Sequence, residues 1–333
     1  MKRIDLENHF YDQCLIDAMR KRTNAPMYNL AEDTIEWTPS INMPQGELLD
    51  KLLDVSEKRF ELMTSKGINH AVLSSAGGPE LLDAENSIDV CKVTNDRLFT
   101  LTQHYQGHLF GSAVLPVKDI NTAVNELERC VSDLGFVCWH THSNYGDSTP
   151  DDPRYFPLFK KASELGIYVY LHPHLPASEK FGEYGFTFAG PGLGFTVDTM
   201  TTIMRMIVSG LFDELPDLKV VLGHLGEGLP FLLERIENRL AFMNNPAIKC
   251  QLPIHEYFRR NIWVTTSGNM SLPAFECAKE VLGTDQILFA SDYPFESLDA
   301  MMHFLHGIPL SEDDYKKMYY KNAEKYLGIS LND

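Results

Sequence analysis

Short runs of β-branched and apolar residues recur along the chain, and the stretches between them place apolar residues three and four apart. The strand-like runs are Ile4–Phe10, Ile68–Ser75, Leu109–Val117, Gly135–His142, Gly166–His172, Lys219–His224, Asn261–Ser267 and Ile287–Asp292. Most are continuous rather than alternating, as expected of a parallel sheet covered by helices. Glu47–Lys66 has apolar residues at 48, 49, 52, 53, 60, 62 and 63, and Gly67 follows as a helix stop. Similar helical patterns cover Asn121–Asp133, Pro157–Leu165, Thr199–Leu215, Pro230–Asn244, Pro273–Leu282 and Asp313–Leu327.

Eight strands alternating with helices, and no Pro/Gly/Ser linker, predict one (β/α)8 TIM barrel spanning residues 1–333. An open doubly wound sheet is the main alternative. Against it stand the missing glycine-rich phosphate loop and the spread of polar residues over the first, fifth, sixth and eighth runs. Two long stretches read as irregular. One is Thr23–Gly46; the other, Leu175–Thr196, is rich in glycine and aromatic residues (Phe181, Tyr184, Phe186, Phe188, Phe195). Loops of this length without secondary structure of their own are expected to lie as lids over the C-terminal face of the strands.

Composition narrows the partners. Apolar residues make up 44% of the 333, ample for a large core, and the formal net charge is −17. That balance argues against nucleic acid or an anionic membrane surface, though not against a small anion in a pocket with local cations. The six cysteines are scattered with no C-x-x-C pair, as in a reducing cytosol. Met1–Asp5 enters a strand at once, and no apolar run approaches the ~20 residues of a membrane span. A cytoplasmic protein is expected.

The ends of the runs carry the chemistry. Glu7 and His9 are two apart on one strand, so both face the same side and can reach one ion. His172, at the end of the fifth run, is the natural third ligand. His174 shares its parity but follows Pro173, which suits a supporting or substrate-contacting role. Asp292 ends the last run, where a carboxylate can bind a metal and exchange a proton with whatever the metal holds. His224 and Glu227 sit in a turn with Gly223, Gly226 and Gly228; a carboxylate three residues from a histidine can hold its tautomer and raise its basicity. Read alone, each of these groups could be a turn, a cap or a surface charge, as could Arg235; their recurrence at four strand ends points to a metal-dependent enzyme. Trp139-His140-Thr141-His142 also has H-x-H spacing, so one of these histidines could line the pocket, but no lysine stands on that strand to bridge two metals. His70, His104, His108, His255, His303 and His306 fall outside the strand ends and read as structural or exposed.

The segments Glu7-x-His9, His172, Gly223-His224-Leu225-Gly226-Glu227-Gly228-Leu229-Pro230, Thr265-Thr266-Ser267-Gly268-Asn269 and Ser291-Asp292-Tyr293-Pro294-Phe295-Glu296 resemble the decarboxylase branch of the amidohydrolase superfamily. The resemblance runs from residue 4 to about 327. It implies one divalent metal held by Glu7, His9, His172 and Asp292, with His224 and Glu227 in the site and Arg235 near the substrate, reaching across a homodimer or homotetramer. Two carboxylates and two neutral imidazoles cancel a 2+ ion, and the mixed shell suits Mn²⁺ or Zn²⁺ better than Mg²⁺. The implied reaction is non-oxidative decarboxylation of a hydroxylated aromatic acid, with Asp292 protonating the ring. The rivals are a lactone or amide hydrolase or hydratase, in which Asp292 is the base for a metal-activated water, and a non-catalytic metal-binding barrel.

Overall fold

Parallel strands follow one another in chain order: β1 (Ile4–Phe10), β2 (His70–Ser75), β3 (Leu109–Ala113), β4 (Cys138–His142), β5 (Tyr168–His172), β6 (Lys219–Leu222), β7 (Ile262–Thr265) and β8 (Ile287–Leu288). The computed structural model describes residues 1–176, 178–242 and 245–331. Each strand pairs with the next, and the segment after β8 returns to β1. There Leu6 N–H donates to the Phe289 carbonyl at 3.2 Å, and His9 N–H to the Tyr293 carbonyl at 2.7 Å. The expected eight-stranded barrel is therefore present, with each strand shorter than or equal to the apolar run that announced it.

Two apolar layers hold it. Ile4, Leu6, Val72, Cys138, Tyr168, Tyr170, Val221 and Leu288 fill one cluster, drawn from alternate positions of the strands. The other positions, such as Trp139, Val169, Leu171 and Val220, pack outward against the helices. This parity points His140, His142, Tyr170 and His172 into the barrel, level by level up β4 and β5.

Several expectations need correction. Glu47–Lys66 is two helices, Gly46–Leu53 and Glu57–Ser65. They part at Asp54, which is extended and accepts the Ser56 N–H at 2.9 Å in competition with the helix ladder. Thr199–Leu215 also divides, into Gly194–Val208 and Leu211–Glu214, at Gly210 with φ +85. The helix expected over 230–244 covers Leu229–Leu240; residues 243 and 244 lie outside the described residues. Thr23–Gly46 is not irregular. It forms a three-stranded antiparallel sheet (Met27–Asn29, Thr34–Thr38, Ile41–Gln45) that buries Tyr28 and Ile35 against Leu15, Leu49 and Leu52. Leu175–Thr196 contains short helical turns at Glu179–Gly182, Gly185–Thr187 and Phe188–Gly192. Both stretches nonetheless line one groove of about 660 Å³ with Trp37, Ile41, His174, Phe181 and Ala189 on its walls.

The longest helix, Ala84–His104, was not anticipated. Its buried stripe includes Ser87, Thr94, Asn95 and Thr102, which dilute the apolar signal. Asn95 shows why polar residues are tolerated there: its side chain donates to the Val114 carbonyl at 2.9 Å and accepts the Val114 N–H at 3.0 Å, finishing β3 as a strand neighbour would. Among the described residues, no helix is long and apolar enough to cross a membrane.

Candidate metal centre

The four candidate ligands converge at the C-terminal mouth of the barrel. His9 Nε2 lies 3.3 Å from Asp292 Oδ1 and 3.4 Å from Glu7 Oε1, and His172 Nε2 lies 3.5 Å from the same Glu7 oxygen. One ligand atom from each of the four falls within 4.8 Å of every other. Glu7 Oε1, His9 Nε2 and Asp292 Oδ1 are buried and have no hydrogen-bond partner. Two carboxylates buried together with orphaned oxygens need a cation between them. The donor set, two carboxylate oxygens and two imidazole nitrogens, fits one divalent metal ion.

Electrostatics say the same of the site on its own. Burial disfavours a charged His9, yet Asp292 and Glu7 overcome it and raise the imidazole to about 9. Burial among other imidazoles holds His172 well below the ordinary histidine range, so it is a neutral donor. Its Nδ1 faces the Pro173 carbonyl at 2.7 Å, which turns Nε2 toward Glu7.

The supporting groups come from neighbouring strand ends. Tyr170, two residues before His172, donates its hydroxyl to Glu7 Oε2 and contacts Thr265 Oγ1 at 3.0 Å. Thr265 in turn touches Ser267 Oγ at 2.8 Å, which accepts the His224 N–H at 3.2 Å. Below, Asp5 accepts the Ser291 N–H at 2.8 Å and the Asn8 side-chain amide at 3.0 Å, so it ties β1 to the strand end that carries Asp292. Strand parity could have revealed Tyr170; nothing local in the sequence marks Asp5.

His224 and Glu227 form a second layer over Asp292. His224 Nδ1 and Glu227 Oε1 are 2.5 Å apart, and His224 Nε2 stands 3.7 Å from Asp292 Oδ2. Burial opposes charge on His224, but Glu227 and Asp292 prevail and hold its pKa well above the ordinary value; Asp292, buried too, is held below its own by His224 and His9. Both carboxylates thus favour the charged form of the His224 imidazole. Thr196, from the helix after the long β5 loop, donates to Glu227 Oε2 at 2.8 Å and couples that loop to the pair. Gly268 permits the approach, since a Cβ there would lie 2.2 Å from His224 Cδ2.

This geometry is strained. Five described non-glycine residues have positive φ, and His224, Leu225, Glu227 and Asp292 are four of them. Such conformations cost on the order of 1 kcal/mol or more each and persist where the surroundings enforce them, commonly at functional sites.

The remaining candidates lie apart. His174 is outside the ligand cluster; its ring packs edge-on to Trp37 at 6.1 Å and to His142 at 5.8 Å, on the groove wall. Arg235 is exposed on the helix Leu229–Leu240 and makes no ion pair among the described residues. His140, one of the H-x-H pair expected to be able to line the pocket, is buried beside His9 and His172.

Comparison with known proteins agrees with this picture. The amidohydrolase family model matches residues 63–329. The γ-resorcylate decarboxylase of Polaromonas sp. is 33% identical over 309 residues, covering 90% of this chain and 94% of that protein. A dihydroxybenzoic acid decarboxylase structure from Polaromonas, with manganese and 2-nitroresorcinol bound, superposes with TM-score 0.82 at 31% identity, covering 98% and 97% of the two chains. The 5-carboxyvanillate decarboxylase of Novosphingobium aromaticivorans, complexed with manganese and 4-hydroxy-3-methoxy-5-nitrobenzoic acid, superposes with TM-score 0.88 at 26% identity, over 98% and 96%. On the family match and the similarity across nearly its whole length, the chain belongs to the amidohydrolase family.

Proposed function

We propose that this chain is a metal-dependent, non-oxidative decarboxylase of an aromatic acid with a hydroxyl ortho to its carboxylate. The observation that carries the reading is the buried quartet Glu7, His9, His172 and Asp292, with Asp292 also facing the His224 imidazole. Glu7, His9, His172 and Asp292 would hold one Mn²⁺ or Zn²⁺ ion. When bound, that ion supplies Lewis acidity to the substrate's carboxylate and ortho oxygen.

The protein's own groups carry the proton. Asp292, charged by His224 across their 3.7 Å gap, delivers a proton to the ring carbon that bears the carboxylate. A C–H bond forms, the C–CO₂ bond breaks with its electron pair returning to the ring, and carbon dioxide leaves. Glu227 stabilises the charged His224 that supplies the proton. His174 and the groove beside it contact the ring's remaining substituents. Arg235 meets the substrate's negative charge from a neighbouring subunit of a homodimer or homotetramer. Its helix supports that role: Phe231, one turn before Arg235, is 81% exposed, and Phe242, just past the helix end, is 75% exposed, apolar surface that assembly would cover.

A screen of carbon dioxide release from hydroxylated benzoates tests the reading, using Mn²⁺- and Zn²⁺-loaded protein and pairs of acids that differ only in the ortho hydroxyl. The expected result is turnover of the ortho-hydroxylated member alone. Equal rates within a pair, or hydrolysis of lactones or amides outpacing decarboxylation, would overturn it.

A further inference from the structure

His140 has no role in that scheme, yet it is buried with both ring nitrogens unpartnered, a state shared with His9. An unsatisfied buried polar group costs about 1–3 kcal/mol, so a function or a ligand is expected to offset it. Its ring centre lies 5.5 Å from that of His9 and 5.0 Å from that of His172, which are 4.8 Å from each other. Imidazole nitrogens bind an ion at about 2.1 Å, which places each ring centre roughly 3.2 Å from it. Two such rings at angles between octahedral and tetrahedral are then about 4.5–5.2 Å apart. The observed triangle is close to that spacing.

The nitrogens of His9, His140 and His172 also lie within 4.8 Å of one another, as a group distinct from the quartet that includes Glu7 and Asp292. We infer that the centre offers a divalent ion two overlapping seats sharing His9 and His172, one completed by the carboxylates of Glu7 and Asp292 and one by His140. Shared ligands allow one ion at a time. Tyr170 joins the two seats, its ring stacked on His140 at 5.3 Å while its hydroxyl holds Glu7. Hard Mn²⁺ prefers the oxygen-rich seat, whereas Zn²⁺, Ni²⁺ and Cu²⁺ gain more from the third imidazole. His140 is thus a selectivity element, one that favours nitrogen-loving ions over Mn²⁺.

The test reads metal binding rather than turnover, so its outcome is separate from that of the decarboxylase reading. Wild type and His140→Leu are equilibrated with mixtures of Zn²⁺ and Mn²⁺, and bound metal is measured by elemental analysis. The Zn²⁺ preference should fall tenfold or more in the variant, Mn²⁺ affinity should change less than about threefold, and total occupancy should stay at one ion. X-ray absorption of the native Zn²⁺-loaded protein covers the case in which His140→Leu does not fold, and three coordinating imidazoles are expected. An unchanged preference in a folded variant, two imidazoles on the native Zn²⁺, or two ions bound at once would each overturn the inference.

Discussion

Asp292 has to ligate and to donate a proton from a left-handed backbone, φ +60. Asparagine and aspartate tolerate that conformation better than most residues, which makes Asp292→Asn a cleaner probe than alanine. The amide can still offer an oxygen to a metal but cannot deliver the proton. We expect the variant to keep a substantial part of its metal by elemental analysis and to lose about 10²–10⁴-fold in turnover. Turnover within tenfold of wild type in metal-replete protein would mean that His224 protonates the ring itself. A second buried pair, Glu80 and His142 at 2.9 Å, works on stability. Burial would raise Glu80, but His142 holds it far below its ordinary 4.5, at about 2. A depressed carboxyl contributes stability that is full above pH 4.5 and is lost as pH falls toward 2; the size here is about 3 kcal/mol. Glu80→Gln should therefore unfold more easily by up to that amount at pH 6, the difference shrinking as pH drops from 4.5 to 2. Denaturant titrations across that range would expose a pH-independent gap, which would rule out ionisation as the cause.

Individual residues hold these positions only because whole elements bring them there, and β1 shows how. The buried Arg59, on the helix Glu57–Ser65, donates to Asn8 Oδ1 at 3.1 Å, to the His9 carbonyl and to the Asp54 carbonyl at 3.0 Å, with its guanidinium 5.0 Å over the Tyr293 ring. It joins the end of β1 to the strand end that carries Asp292. Arg59→Lys keeps the charge but not the fork, so we expect a loss of about 2–3 kcal/mol in stability and roughly tenfold in metal affinity. A drop in thermal stability with unchanged metal affinity would show that the clamp serves the fold alone. No sequence pattern announces this contact, because the partners are fifty positions apart and the helix break at Asp54 that aims Arg59 depends on a local side-chain hydrogen bond. The legible parts were those with a short period. Continuous apolar runs revealed all eight strands, and two-residue spacing put Glu7 and His9 on one face. The small sheet of 27–45 and the helix Ala84–His104 were missed because brief strands and a polar buried stripe leave little periodic signal. His140 was legible in parity, as a residue facing into the barrel, but not in its nearness to His9, which only barrel closure creates.

At the scale of the whole molecule, a chain of net charge −17 must gather cations around an anionic substrate, and the exposed Arg235 is the candidate whose direction of reach is open to test. Phe231, one turn before it, and Phe242, just past the helix end, are exposed and suit a subunit contact, and a two-fold contact there would bring each Arg235 toward the other chain. Mixing two inactive proteins decides the matter. Arg235→Ala and Asp292→Asn homo-oligomers should each be inactive or nearly so. In a hybrid dimer, the site with an intact Asp292 meets the intact Arg235 of its partner, while the other site lacks both. Random re-association makes about half the dimers hybrid, each with one working site, so activity should recover to roughly a quarter of wild type. If Arg235 acts within its own chain, no site in any combination is complete and the mixture stays inactive. Recovery in proportion to the hybrid fraction, followed by native mass spectrometry, would thus report both the assembly and the direction in which Arg235 reaches.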